Sequence, residues 1–247
     1  MSWFQSVRIS GRKALTGTEL PLGTKWYKTH VCELWTNWFI IKHHQYKKGY
    51  PMARPREFNT DDALNAAMNV FWAKGYEDAS LPDLLDGMGI TRGSLYKAFT
   101  DKRSLFLRVM QRYEQEAVTP AVNLLADDSI SDGLDRIETL FRNVVQTVRG
   151  GDQRGCLMCT AAAGPASEDM EISQIVQNLL DQMKAGFDAA LAAAGDFASV
   201  TPETRAILSD MLVTQYVGIR TLTRAQTTAA QLDASVTAII ALLRARA

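Results

Sequence analysis

Residues 80–99 read SLPDLLDGMGITRGSLYKAF, and the order of residue types in this stretch decides the fold. Ser80 followed three residues later by Asp83 is the pattern of a capping box, and Pro82 is tolerated in a first helical turn, where its missing N–H costs no intrahelical bond. Leu81, Leu84, Leu85 and Met88 then recur at helical spacing, which predicts a short helix with one buried face. Gly87 and Gly89 read as the sharp turn that follows, Ile90 as an apolar plug, and Thr91 as the cap of a second helix. In that second helix Leu95 and Phe99 lie one turn apart and face inward. The other side offers Thr91, Arg92, Gly93, Ser94, Tyr96 and Lys97. A helix-turn-helix needs this division, because one face must anchor the recognition helix while the other enters the major groove.

The flanks support the same reading. Thr60, Asp61 and Asp62 place a cap and negative charge at a helix start, and Leu64, Ala67, Met68, Phe71 and Trp72 form a stripe that Lys74 and Gly75 close. After the second short helix, Asp101 caps another, with Lys102 in its first turn as a phosphate contact and Leu105, Phe106, Val109, Met110 and Tyr113 as its buried stripe. From Arg92 to Arg112 six basic residues face a single acidic one, Asp101, so the positive charge is concentrated on the expected DNA face.

The run from Asp62 to Met110, centred on GYEDASLPDLLDGMGITRGSLYKAFTDKRSLF, resembles the DNA-binding domain of the TetR/AcrR family of bacterial transcriptional regulators. Helix, Gly-aromatic turn, Ser-started helix, Gly-Ile-Thr turn, Leu-Tyr-x-x-Phe and Asp-Lys occur in the family's order and spacing. The resemblance implies an all-α fold, with an N-terminal three-helix helix-turn-helix domain at 52–112 and a C-terminal helical effector-binding and dimerisation domain at 113–247. It implies a homodimer on a palindromic operator of double-stranded DNA, usually repressing transcription until a small molecule binds. Thr91, Arg92, Gly93, Ser94, Tyr96 and Lys97 are then the groove-facing residues and Lys102 the phosphate contact.

The formal net charge of zero hides an asymmetry. Residues 1–51 hold eight Lys/Arg against two Asp/Glu, together with four of the five Trp and all three His, and show no sustained helical or strand period. The apolar run at 31–41 is too short to cross a bilayer and carries Glu33 and Asn37. MARPREFNTDDAL, from Met52, resembles the natural opening of a family member. Residues 1–51 are therefore expected to be a poorly ordered upstream extension from a misassigned start, the alternative being a basic arm that adds phosphate contacts.

Beyond Tyr113 the pattern stays helical, with helices expected over Lys102–Ala126, Ile130–Arg149, Cys156–Ala163, Glu168–Ala194, Pro202–Gln226 and Thr228–Arg246. The last two carry broad apolar stripes, which read as core in isolation and, given the family's pairing of its last two helices, as the homodimer interface. A ligand pocket between helices would be lined by adaptable apolar side chains. By helical face, Met110, Phe141, Val144, Met158, Met183, Phe187, Met211 and Tyr216 are the candidates, each equally able to serve as plain core.

Cys156 and Cys159 form a C-x-x-C behind Arg154 and Gly155, in surroundings that favour thiolate, and are candidates for an oxidant or electrophile sensor as well as for simple packing. A zinc site would need two further ligands, and every His lies before residue 52, so neither metal nor cofactor is expected. Three Cys and no signal peptide point to a reducing cytoplasm, and no segment suits a membrane. A helical-bundle enzyme is the competing class, as is a regulator that activates. After residue 51 the chain has no His, no Glu-x-x-His pair and no nucleophile motif, which disfavours the enzyme.

Overall fold

The structure is a computed structural model, described here for residues 58–197 and 199–245; the expected extension at 1–51 and the Met52 start lie outside the described residues. Helix α1 spans Thr60–Lys74, α2 Leu81–Met88, α3 Arg92–Phe99 and α4 Lys102–Tyr113. A π-helical turn, Glu114–Val118, carries α4 into α5, Thr119–Leu125. There follow α6 (Gly133–Arg149), α7 (Leu157–Ala163), α8 (Met170–Ala192), α9 (Pro202–Arg224) and α10 (Ala229–Arg244). The fold is all-α, with no strand among the described residues.

The local signals act largely as the residue types dictate. At Ser80 the capping box is complete: its N–H and hydroxyl both donate to Asp83 Oδ2, at 3.0 and 2.7 Å, while Asp83 N–H donates to Ser80 Oγ at 3.3 Å. Thr91 Oγ1 accepts from Ser94 N–H at 3.2 Å, and Asp101 Oδ1 from Ser104 N–H at 2.6 Å. Four details differ from expectation. Asn59, not Thr60, caps α1, its side chain accepting from Asp61 N–H. Gly89 alone supplies the left-handed turn, at φ 64°, whereas Gly87 lies inside α2, where a Cβ would stand 2.5 Å from Val70 Cγ2. Its role is close approach of α1. The helix expected from Glu168 begins instead at Met170, capped by Asp169, after a short 3-10 turn over Pro165–Glu168.

The fourth difference is the π turn in what reads as one helix over 102–126. Pro120 brings no N–H and its ring crowds the carbonyl four residues back, so the regular ladder cannot continue through this point. Thr119 N–H reaches back five residues to Glu114 O, one more than an α-helix uses.

Helix α1 packs against α2 and α4, which fixes the short helices on a rigid base. In the remainder α8 is central, packing against α5, α6, α7 and α9, while α10 lies against α6. The approach of α6 to α8 is made by Gly133, where a Cβ would fall 1.7 Å from Ala190 O. Phe71 and Phe106 meet edge to face at 4.9 Å, and Tyr216 stands edge-on to Phe141 at 5.6 Å and to Phe187 at 6.3 Å. All four phenylalanines are fully buried, each ring contributing about 1.5–3 kcal/mol through burial.

Candidate nucleic-acid interface

Helix α3 is held from behind and open in front. Leu95 and Phe99 are buried, at 0% and 4% exposure, whereas Thr91, Arg92, Gly93, Tyr96 and Lys97 are exposed and Ser94 is half-buried. The Arg92 guanidinium lies 5.5 Å from the centre of the Tyr96 ring and donates to its hydroxyl at 3.4 Å, so these two residues act as one unit. Thr91 and Ser94 bond each other across 3.0 Å and are partly engaged in the cap. Gly93 leaves open space above the helix, where the nearest atom to an added Cβ is Thr91 Oγ1 at 4.0 Å. A backbone or base edge can approach closely at that point.

Lys102 has a more specific place than sequence suggested. Its Nζ donates to Glu77 O at 3.1 Å and sits 4.7 Å from the centre of the Tyr76 ring, tying α4 to the turn between α1 and α2. An ammonium has three donors, so two remain to meet a phosphate. Behind the interface, Lys74 pairs with Asp83 at 2.6 Å. The hydrogen bonds from Lys74, and then from Ser80, hold the Asp83 carboxyl at about 2, below the usual carboxylate range.

The candidate pocket residues do not converge. Met110, Phe141, Val144, Met158, Met183 and Phe187 are buried, and Tyr216 packs between the rings of Phe141 and Phe187. Met211 is 39% exposed on α9 and cannot share an interior site with them. A cavity of about 260 Å³ lies instead between α7, α8 and α9, bordered by Met158, Cys159, Val176, Leu180, Val217, Thr221 and two alanines. Met158 is the one pocket candidate on its wall. Its lining is overwhelmingly apolar, suited to an apolar molecule.

Sequence reasoning missed the residues that join this region to the helix-turn-helix. Arg154 donates to Asn69 Oδ1 at 2.7 Å and lies 4.4 Å from the centre of the Trp72 ring. Arg224 donates to the carbonyls of Trp72 and Ala73, at 2.8 and 3.1 Å. Both tie into α1. Cys156 is buried and Cys159 half-buried, both as free thiols. The Cys156 thiol is held down at about 5, chiefly by the hydrogen bond from Cys159 and then by the Arg220 charge and Tyr113, while the hydrogen bond to Cys156, and then burial, push Cys159 up. Among the described residues no cluster of His, Cys, Asp or Glu could hold a metal ion, and no helix is long and apolar enough to cross a membrane.

A short recognition helix braced by two others, with a basic and aromatic outer face, defines a helix-turn-helix DNA-binding protein. Residues 63–109 match the family model of bacterial regulatory proteins of the tetR family. The HTH-type transcriptional regulator YezE of Bacillus subtilis (strain 168) is 31% identical over 138 residues, 55% of this chain and 70% of that protein. The HTH-type transcriptional repressor BdcR of Escherichia coli (strain K12) is 32% identical over 123 residues, 49% of this chain and 60% of the repressor. Among solved structures, a cysteine mutant of the TetR-family regulator CifR, complexed with 26-bp operator DNA, superposes with a TM-score of 0.67 at 29% identity, covering 76% of this chain and 98% of that one. The chain belongs to the TetR family and is a DNA-binding transcriptional regulator.

Proposed function

We propose that the protein is a cytoplasmic homodimeric repressor that holds a palindromic operator through α3 and releases it when a small molecule occupies the helical domain. The single observation that carries this reading is the division of α3, with Leu95 and Phe99 buried and the Arg92–Tyr96 pair exposed beside Gly93 and Lys97. Arg92 reads a base edge, Tyr96 and Lys97 complete the groove contact, and Thr91, Ser94 and Lys102 meet the backbone. Repression is supported by the relative named a repressor. No reaction is assigned, since the relatives named are transcriptional regulators.

The dimer is formed by α9 and α10. Ile207, Met211 and Leu222 are exposed apolar residues on α9, and their spacing, with Gly218 between, places all four positions on one helical face. Leu242 adds a further exposed side chain on α10. A second copy of the chain covers this face best, because a two-fold partner presents the same apolar surface in return and doubles the recognition helix for a two-half-site operator. The effector occupies the apolar space beside α7, where Met158 borders the cavity. Met110, Phe141, Val144, Met183, Phe187 and Tyr216 belong to the packed interior that must open for a larger ligand.

The test is a mobility shift of the full-length protein on DNA from upstream of its own gene. Specific retardation that survives excess unrelated duplex, with a complex of the mass of two chains, is the expected result. Retardation that is lost equally to any duplex overturns it.

A further inference from the structure

Cys156 lies where α4, α7 and α9 meet. The Tyr113 hydroxyl of α4 is 3.1 Å from its sulfur, and Cys159 lies one turn along, in the first turn of α7. From α9, Arg220 donates to Gly155 O at 2.7 Å, while its Nε is buried with no partner. Gly155 has φ 77°, and a Cβ there would come within 2.8 Å of Arg220 O. The backbone entering Cys156 is thus pressed against α9. On the other side Cys159 borders the 260 Å³ cavity, which gives the thiol pair a route to small solutes.

We propose that Cys156 and Cys159 are a reversible thiol switch, in which a peroxide closes the pair into an intrachain disulfide and so lowers operator affinity. The inference rests on the regulator reading above. The Cys156 thiolate attacks one oxygen of hydrogen peroxide; an S–O bond forms, the O–O bond breaks, and the departing hydroxide takes a proton to become water. The sulfur of Cys159 then attacks the sulfenic acid, losing its proton as the S–S bond forms, the S–O bond breaks and a second water leaves. Two thiols are oxidised and one peroxide is reduced to two waters. The division of labour follows the surroundings: Cys156 has the cation and two hydrogen-bond donors facing it, whereas Cys159 keeps its proton until the second step.

Closing the bond has a mechanical consequence. Cys156 caps α7 in extended backbone, at φ −118° and ψ 123°, and Cys159 lies in the first turn that follows; a disulfide fixes the two Cβ atoms at about 3.5–4.5 Å. Locking Cys156 to Cys159 constrains the backbone that enters α7, where Gly155 already lies against α9 and cannot shift freely. The displacement is passed back to Arg154, whose guanidinium is bonded to Asn69 and stacked on Trp72 of α1. Oxidation also removes the thiolate beside Tyr113 and Arg220, leaving the half-buried guanidinium without that counter-charge.

The experiment uses the full chain with Cys32→Ser, so that only the pair remains. Hydrogen peroxide treatment is expected to yield a peptide two hydrogens lighter linking Cys156 to Cys159, with operator affinity falling about tenfold, the scale of a typical allosteric coupling, and returning with dithiothreitol. Cys159→Ser, with Cys159→Ala as the second variant, should bind operator when reduced and lose less than half its affinity on peroxide treatment. A linked pair that leaves operator affinity unchanged overturns the proposal, as does peroxide-driven release in both Cys159 variants, or a linkage between chains instead of within one. If the reduced protein fails to bind operator at all, the regulator reading falls together with the switch; if reduced and oxidised protein bind alike, only the switch falls.

Discussion

The guanidinium of Arg154 lies 4.4 Å from the centre of the Trp72 indole, across 82 residues of sequence. This contact joins the segment between α6 and α7 to the last turn of α1, the helix on which the recognition pair is mounted. Arg224 reaches the same turn from α9 through the Trp72 and Ala73 carbonyls. A movement of either α7 or α9 therefore acts on the end of α1, at Trp72 and its neighbours Asn69 and Ala73.

Arg154→Ala should lower the free energy of unfolding by about 2 kcal/mol, the sum expected for a stacked cation and a charged hydrogen bond. It should also reduce the effect of any effector on operator affinity, because one of the two ties to α1 is gone. Urea midpoints, together with operator titrations with and without effector, measure both. An unaltered effector response would place the coupling on Arg224.

On α3, Tyr96→Ala should weaken operator binding while leaving the fold intact, since it removes an exposed side chain and the partner of Arg92. Arg92→Ala should relax base preference at one position per half-site by about 1–3 kcal/mol. Lys97→Ala should weaken binding uniformly and reduce the slope of affinity against salt by about 1. Fluorescence anisotropy over a salt series, with circular dichroism as the control for folding, separates the three effects. Equal affinity in all three variants would remove α3 from the groove.

A charge on the exposed face of α9 should separate the subunits. Ile207→Glu or Leu222→Glu, alone or combined, is expected to convert the proposed dimer into a folded monomer, because neither side chain belongs to the core. Light scattering gives the mass, and operator affinity should fall steeply with the loss of the second recognition helix. Retention of the dimer by the double variant would show that another face pairs.

Acid should act through Asp169. The hydrogen bond from Arg103, first among the causes, holds this carboxyl at about 2, against an ordinary 3.8. The folded state thus binds the proton more weakly than the unfolded chain, so the contribution is fully present above the ordinary value and is lost as pH falls towards about 2. The difference in urea midpoint between the natural chain and Arg103→Ala should persist at neutral pH, shrink below about pH 4 and vanish only once the pH is below about 2. A difference independent of pH would mean that Arg103 stabilises by packing alone.

The helix-turn-helix was legible because its determinants are local. Ser80 with Asp83, Thr91 with Ser94, and Asp101 with Ser104 each lie three residues apart, and the buried pair Leu95 and Phe99 is one turn apart. The contacts that join the helix-turn-helix to the rest of the chain were not legible in the same way. Arg154, Arg220 and Arg224 read in sequence as ordinary surface-type residues, and only packing of distant helices gives them Trp72, Gly155 and Ala73 as partners. The cavity was not located in sequence for a related reason. Helical periodicity marks which side chains turn inward, as it did for Phe141 and Phe187, but it cannot say where interior atoms fail to fill space, nor that Met211 would stand outside.

The π turn at Glu114–Val118 makes this stretch of chain one residue longer than an unbroken helix would need. Five positions separate buried Tyr113 from buried Val118, a spacing at which an ordinary helix would turn the second side chain well away from the first. With one exposed residue removed, Gln115 for instance, the separation becomes four, and a helix bent only at Pro120 presents both to the same interior. The segment thus holds a spare residue: a single-codon deletion, ruinous in most helices, is here expected to leave a folded protein that still binds DNA, with the joint between the helix-turn-helix and the remaining helices made stiffer.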